Sequence, residues 1–185
     1  NYFRNEQQLD IYQLADLAYQ VERIDMKMQG GWQDQYAITF GGFSWIEFRQ
    51  NEVVVNPFLL NKDTLLELEY NLMLFRLGGN RSSSQIQKKH IKEIDSNNKN
   101  FESFNSMIDL AVKMKETLLK GEVKKFADLL HESWIVKQTM NKNVTNEFIE
   151  DCYTTARELG ALGGKLLGAG GTGYLLIYAS PLYQK

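Results

Sequence analysis

The chain has 185 residues, 43% of them hydrophobic and 12% aromatic, enough for one well-buried domain or two small ones and too apolar for a disordered segment. Twenty-one basic residues nearly balance twenty-three acidic ones, a formal net charge of -2 that offers no broad footprint for nucleic acid, so any bound anion must be held by a local site. The single cysteine, Cys152, can form neither an internal disulfide nor a thiolate metal centre, which suits a reducing compartment and sets cytoplasm as the expected location. No apolar run approaches the ~20 residues of a membrane-spanning helix, and no membrane partner is expected. The opening NYFRNEQQ has neither the basic start and apolar core of a signal peptide nor an initiator methionine. The expectation is that the chain begins inside a longer gene product.

From Gln8 to about Met28, apolar residues at Ile11, Leu14, Ala18, Val21 and Ile24 predict an amphipathic helix ended by Gly30 and Gly31. YAITFGGFSWIEF and then NEVVVNPFLL, rich in aromatic and β-branched residues, read as strands joined by turns. Leu68 to Phe75 reads as a further buried strand. The charged and polar Lys88 to Asn100 reads as a solvated helix end running into a mobile loop. Three helices follow, one through Phe101, Phe104, Ile108, Ala111 and Leu118, one through Val123, Phe126, Leu130 and Trp134, and one through Phe148, Cys152, Ala156 and Leu159. Gly121 and NKNVTN separate them. A strand, a glycine loop and the strand YLLIYA close the chain. The class is α+β, with mostly antiparallel strands and a helical layer.

Seven of the fourteen glycines lie between Gly160 and Gly173, and GAGGTG within KLLGAGGTGYLLIY has the spacing G-x-G-x-x-G. A dinucleotide cradle requires a helix directly after that motif and an acidic residue about 20 positions on. YLLIYA favours a strand instead, and no such acid follows. Two readings remain at this point: a tight turn packed beneath a helix, or a loop whose backbone must approach a ligand.

Glu22 falls late on the first helix and Asp34 twelve residues later, beyond the double glycine. A reversal at the glycines would bring both carboxylates to one cleft. The alternative is ordinary surface duty, Glu22 paired with a basic residue and Asp34 capping a turn. Arg81 with Ser82 to Ser84 is either a serine N-cap or an anion site of guanidinium, hydroxyls and free backbone N–H groups. His90 and His131 are lone histidines, more often structural or exposed than catalytic.

GGWQDQY followed by FGGFSWIEF, then NRSSSQI, LLHESW and GGKLLGAGG in this order resembles the GHMP small-molecule kinases over nearly all of the chain, and among them the D-glycero-D-manno-heptose 7-phosphate kinases. The first segment is also similar to L-fucokinases and, more distantly, galactokinases. The resemblance implies transfer of the γ-phosphoryl group of ATP to a sugar hydroxyl, here the anomeric one of a heptose 7-phosphate. It implies that Glu22 binds magnesium and that Asp34 is the catalytic aspartate. Gly168, Ala169, Gly170, Gly171 and Gly173 match a glycine-rich motif beside the active site. A substrate that already carries phosphate requires a second anion site, for which Arg81, Ser83 and Ser84 are the candidates. ATP, Mg2+ and a sugar phosphate are thus the expected ligands.

The family's early lysine motif and its P-x-x-x-G-L-G-S-S-S motif, which holds the ATP phosphates, have no counterpart in this sequence. The expectation is an internal piece that does not turn over ATP alone. Residues 1–63 would be the end of the N-terminal domain and residues 64–185 most of a ferredoxin-like C-terminal domain. Strand edges left open in an incomplete first domain invite self-association, so a homo-oligomer is a further expectation. A noncatalytic binding or oligomerisation module that keeps the fold is the alternative from another class.

Overall fold

The computed structural model describes residues 9–50, 52–78 and 99–184. They form two compact units, one ending at Leu59 and the other beginning at Leu60. No helix among the described residues is long and apolar enough to cross a membrane.

The first unit opens with α1 (Ile11–Tyr19), whose N-terminus is closed by a capping box between Asp10 and Gln13. The winding then widens into a π-helical segment, Gln20–Asp25, with Met26 N–H donating five residues back to the carbonyl of Val21 at 2.9 Å. The helix stops at Lys27, a left-handed residue with φ 53°, and the Met28 N–H returns to the Glu22 carbonyl at 3.1 Å. Gly30 and Gly31 are therefore not the terminator that the sequence predicts.

YAITF is also not a strand. It belongs to α2 (Gln33–Phe40), which ends at Gly41 with φ 65°. Helical winding puts Tyr36 and Phe40, four residues apart, on one face against α1, where Tyr12 meets Phe40 edge-on at 4.8 Å. Tyr36 lies buried with Ala15 and Val55, while Ile38 is 82% exposed. This packing overrides the β propensity of the segment. A two-stranded antiparallel hairpin follows, β1 (Ser44–Phe48) and β2 (Val53–Pro57), with Ile46 opposite Val55. The Val55 N–H donates to the Tyr12 hydroxyl at 3.1 Å and ties the hairpin to α1.

The second unit begins with α3 (Lys62–Asn71) and β3 (Leu72–Leu77). Leu68 therefore lies on a helix, and only the end of the expected strand is one. Thr64, Leu68 and Asn71 are buried at helical spacing, whereas Leu65 and Leu66 are exposed. The three expected helices follow as α4 (Lys99–Leu119), α5 (Val123–Met140) and α6 (Glu147–Glu158). On α6 the buried residues are Ile149 and Tyr153, and Phe148 and Leu159 face outward. The chain ends in β4 (Gly163–Leu166) and β5 (Gly173–Tyr178). The sheet order is β3-β5-β4, antiparallel throughout, so the α+β expectation holds.

Trp134, Leu166, Ile177, Ile149 and Leu175 form the centre of this unit's core. Gly163 allows α5 to lie directly on β4, since a Cβ there would stand 1.9 Å from the Ala127 carbonyl oxygen. The glycines of GGKLL thus serve packing rather than a ligand.

Candidate functional site

Glu22 and Asp34 both belong to the first unit, and the structure brings them to one side chain that the sequence reading missed. Arg23 Nη1 lies 3.2 Å from Glu22 Oε1, and Arg23 Nη2 lies 3.6 Å from Asp34 Oδ2. The same guanidinium donates through Nε to the Gly31 carbonyl and through Nη1 to the Gln29 carbonyl, each at 3.2 Å. Its side chain is only 7% exposed, against 36% for Glu22 and 71% for Asp34. Gly30 makes the room, for a Cβ at that position would stand 2.4 Å from the guanidinium carbon. The glycine pair is thus a seat for Arg23. The only sequence signal was the adjacency of Arg23 to Glu22, which spacing rules pass over because neighbours on an α-helix face apart.

The second carboxylate oxygen of Glu22 accepts from Gln35 Nε2. Gln35 is 4% exposed, and its Oε1 has no hydrogen-bond partner among the described residues. Asp34, in the first turn of α2, remains open to solvent and aligned with the positive end of the helix dipole.

Among the described residues no group of three or more His, Cys, Asp or Glu side chains stands ready to cage a metal. The donors fit magnesium nonetheless, because that ion commonly keeps its waters and takes one or two carboxylates plus phosphate oxygens. Glu22 offers the remaining lone pairs of its two oxygens, and Asp34 is the nearby carboxylate.

The glycine turn belongs to the second unit and is a hairpin connection between β4 and β5, closed by the Leu167 N–H on the Tyr174 carbonyl at 2.8 Å. A strand and not a helix follows it, so the dinucleotide reading fails. Gly168, Gly170, Gly171 and Gly173 all have positive φ, at 71°, 99°, 73° and 116°. Three neighbours hold the turn. Lys137 Nζ, from α5, donates to the carbonyls of Leu166 at 3.3 Å and Gly168 at 2.7 Å. The Gly171 N–H donates to the Val144 carbonyl at 2.7 Å, and Asn146, which also caps α6, donates to the Gly171 carbonyl at 3.3 Å. A Cβ on Gly170 would stand 2.5 Å from Val144 Cα. Sequence reasoning found the glycines but neither Lys137 nor Asn146, which lie on other elements.

Burial, reinforced by the Lys165 ammonium, pushes Lys137 down from 10.5 to about 8. Burial lowers Lys165 as well. His131 places Nδ1 2.6 Å from the Tyr153 hydroxyl with the rings stacked, and burial lowers it too. It is a packed side chain. Arg81, Ser83, Ser84 and His90 lie outside the described residues, as does Lys88 to Asn98 of the polar segment.

Residues 114–183 match the family model described as GHMP kinases C terminal. The chain is 36% identical over 171 residues to a D-glycero-alpha-D-manno-heptose 7-phosphate kinase of Campylobacter jejuni, a match that covers 92% of this chain and 50% of that protein. It is 30% identical over 173 residues to a bifunctional fucokinase/GDP-fucose pyrophosphorylase of Arabidopsis thaliana, covering 90% of this chain and 16% of that one. The crystal structure of a D-glycero-D-manno-heptose 1-phosphate kinase from Bacteriodes thetaiotaomicron superposes with a TM-score of 0.64 at 30% identity, over 95% of this chain and 47% of its own. The chain therefore spans half or less of the length of each of these proteins. Sequence motifs, fold and relatives agree that this chain belongs to the GHMP kinases, and residues 114–183 lie in their C-terminal domain.

Proposed function

We propose that this chain is part of an ATP-dependent sugar kinase that phosphorylates the anomeric hydroxyl of D-glycero-D-manno-heptose 7-phosphate. The observation that carries the reading is the meeting of Glu22 and Asp34 at one buried guanidinium. The 36% identity to a heptose 7-phosphate kinase over 92% of the chain favours this sugar.

In this reading Asp34 orients the acceptor hydroxyl and takes its proton as the new sugar O–P bond forms and the bond to the departing ADP oxygen breaks. A free aspartate is too weak a base to strip a sugar hydroxyl in advance, and a loose phosphoryl-transfer transition state does not require it. Glu22 holds magnesium, whose charge offsets that of the ATP phosphates. Arg81, Ser83 and Ser84 receive the 7-phosphate. The family's domain boundary falls at residues 63–64, and residues 1–185 alone do not turn over ATP.

The likeness to the Arabidopsis fucokinase supports a second reading, L-fucose as acceptor. A coupled assay of ADP release by the full-length protein separates the two, offered heptose 7-phosphate, unphosphorylated heptose and L-fucose in parallel. The heptose reading expects turnover on the phosphorylated sugar, with Arg81→Ala raising its KM. Turnover on L-fucose alone would overturn it.

A further inference from the structure

Arg23 is more deeply covered than either acid that it pairs with. An ion pair alone would need only Glu22, its neighbour in sequence. Here the guanidinium also reaches two backbone carbonyls of the bend, Gln29 and Gly31, and then Asp34 beyond it. One planar fork thus joins the π-helical end, the bend and the first turn of α2. Its single positive charge faces two carboxylates, so the site stays net negative after the pairing. A guanidinium offers five N–H donors in a fixed plane, whereas a lysine ammonium presents three from one point and cannot span this arrangement.

We infer that Arg23 is a positioning residue, one that sets the separation and facing of Glu22 and Asp34 so that the cation ligand and the proton acceptor keep their relative places. The inference rests on the kinase reading for its catalytic meaning. Arg23 acts through the acids, since its own side chain is nearly enclosed. Outer groups that orient a metal-binding carboxylate are typically worth 10- to 100-fold in metal affinity or activity.

The test uses the full-length protein and the variants Arg23→Met, Arg23→Lys and Gly30→Ala. The last keeps the arginine and pushes its guanidinium aside by the Cβ. Mn2+ binding in the presence of a nonhydrolysable ATP analogue is followed by water-proton relaxation, and turnover is measured beside it. All three variants are expected to weaken Mn2+ binding by about 10- to 100-fold, and Arg23→Lys is expected to restore little of it. They should lower kcat with little change in the KM of the sugar. A purely structural arginine would lower the urea midpoint and leave Mn2+ affinity and kcat unchanged, and that result overturns the inference.

A second readout stands apart from activity. The Arg23 Nε–H in a 15N spectrum of the wild type should exchange slowly with water and lose that protection in Gly30→Ala. Fast exchange in the wild type would refute the clamp. A wild type that binds neither Mn2+ with nucleotide nor phosphorylates any sugar, yet protects this proton, would refute the kinase reading and leave the clamp standing.

Discussion

The Lys137 ammonium donates to the Gly168 carbonyl oxygen at 2.7 Å, joining the last turn of α5 to the turn between β4 and β5. The Leu166 carbonyl, at 3.3 Å, shares the same nitrogen. Lys137→Met keeps the aliphatic stem and removes the donor, and at about pH 10, where the buried amine is neutral and still donates, should destabilise the chain by about 1 kcal/mol, the scale of a neutral hydrogen bond. Urea unfolding measures it.

The same side chain gives a pH signature. Its value falls from 10.5 in the open chain to about 8 in the fold, burial being the first cause and Lys165 the second. Between those values the unfolded chain holds more protons than the folded one, so the contribution of Lys137 to stability rises with pH across that window. Below about 8 both states are charged and the fold carries the full cost of the buried ammonium. The urea midpoint of the wild type should gain on that of Lys137→Met as the pH is raised from 7.5 to 10. A difference that stays flat would show that the ammonium is well hydrated.

Two glycines close together in sequence should respond differently to alanine. At Gly163 the new methyl would meet backbone, the Ala127 carbonyl oxygen at 1.9 Å, so α5 and β4 must separate. Gly168 has open space around its Cβ position, and only its φ of 71° resists. Gly163→Ala should cost about 3 kcal/mol and Gly168→Ala about 1 kcal/mol in denaturant unfolding. Equal costs would mean that the strand and helix are not in direct backbone contact.

Asp34 and Glu22 should separate by kinetics in the full-length protein. Asp34→Asn is expected to lower turnover by about 10² or more, the scale of a lost general base. Glu22→Gln should raise the magnesium concentration needed for half-maximal rate. Unchanged turnover in Asp34→Asn would remove that residue from the mechanism.

Tyr36, buried between α1 and the hairpin, donates its hydroxyl to Asp16. Burial first, then the Asp16 carboxylate, raises the phenol above its ordinary value of 10.0. Its stabilising effect is thus complete below pH 10 and fades as the pH climbs beyond. Tyr36→Phe should lose about 1 kcal/mol at neutral pH, read by thermal or urea unfolding.

The three long helices were legible in the sequence because each buries one stripe over many turns, and periodicity over such lengths outweighs local exceptions. YAITF was misread because its residues prefer strands, while the decisive partners, Tyr12 and Ala15, lie on a different helix. Leu68 was assigned to a strand because the apolar run of β3 begins directly after α3 and conceals the boundary. Glu22 and Asp34 were visible through family motifs. Arg23 and Lys137 were not, since what singles them out is a set of backbone carbonyls that only the folded bend and hairpin collect.

The π-helical segment closes its hydrogen bonds five residues back, one more than the α-helix that it continues. An extra residue advances the winding by about 100°, so every side chain beyond it points elsewhere than an unbroken α pattern implies. Val21 and Ile24 are 43% and 50% exposed, much as Ile11 and Leu14 are at 44% and 41%, and beyond the widened turn the covered side chain is that of Arg23. Shortening this segment by one amino acid would restore regular pitch and turn the arginine away from Asp34 and from the carbonyls of the bend, a change of phase that no point substitution reproduces.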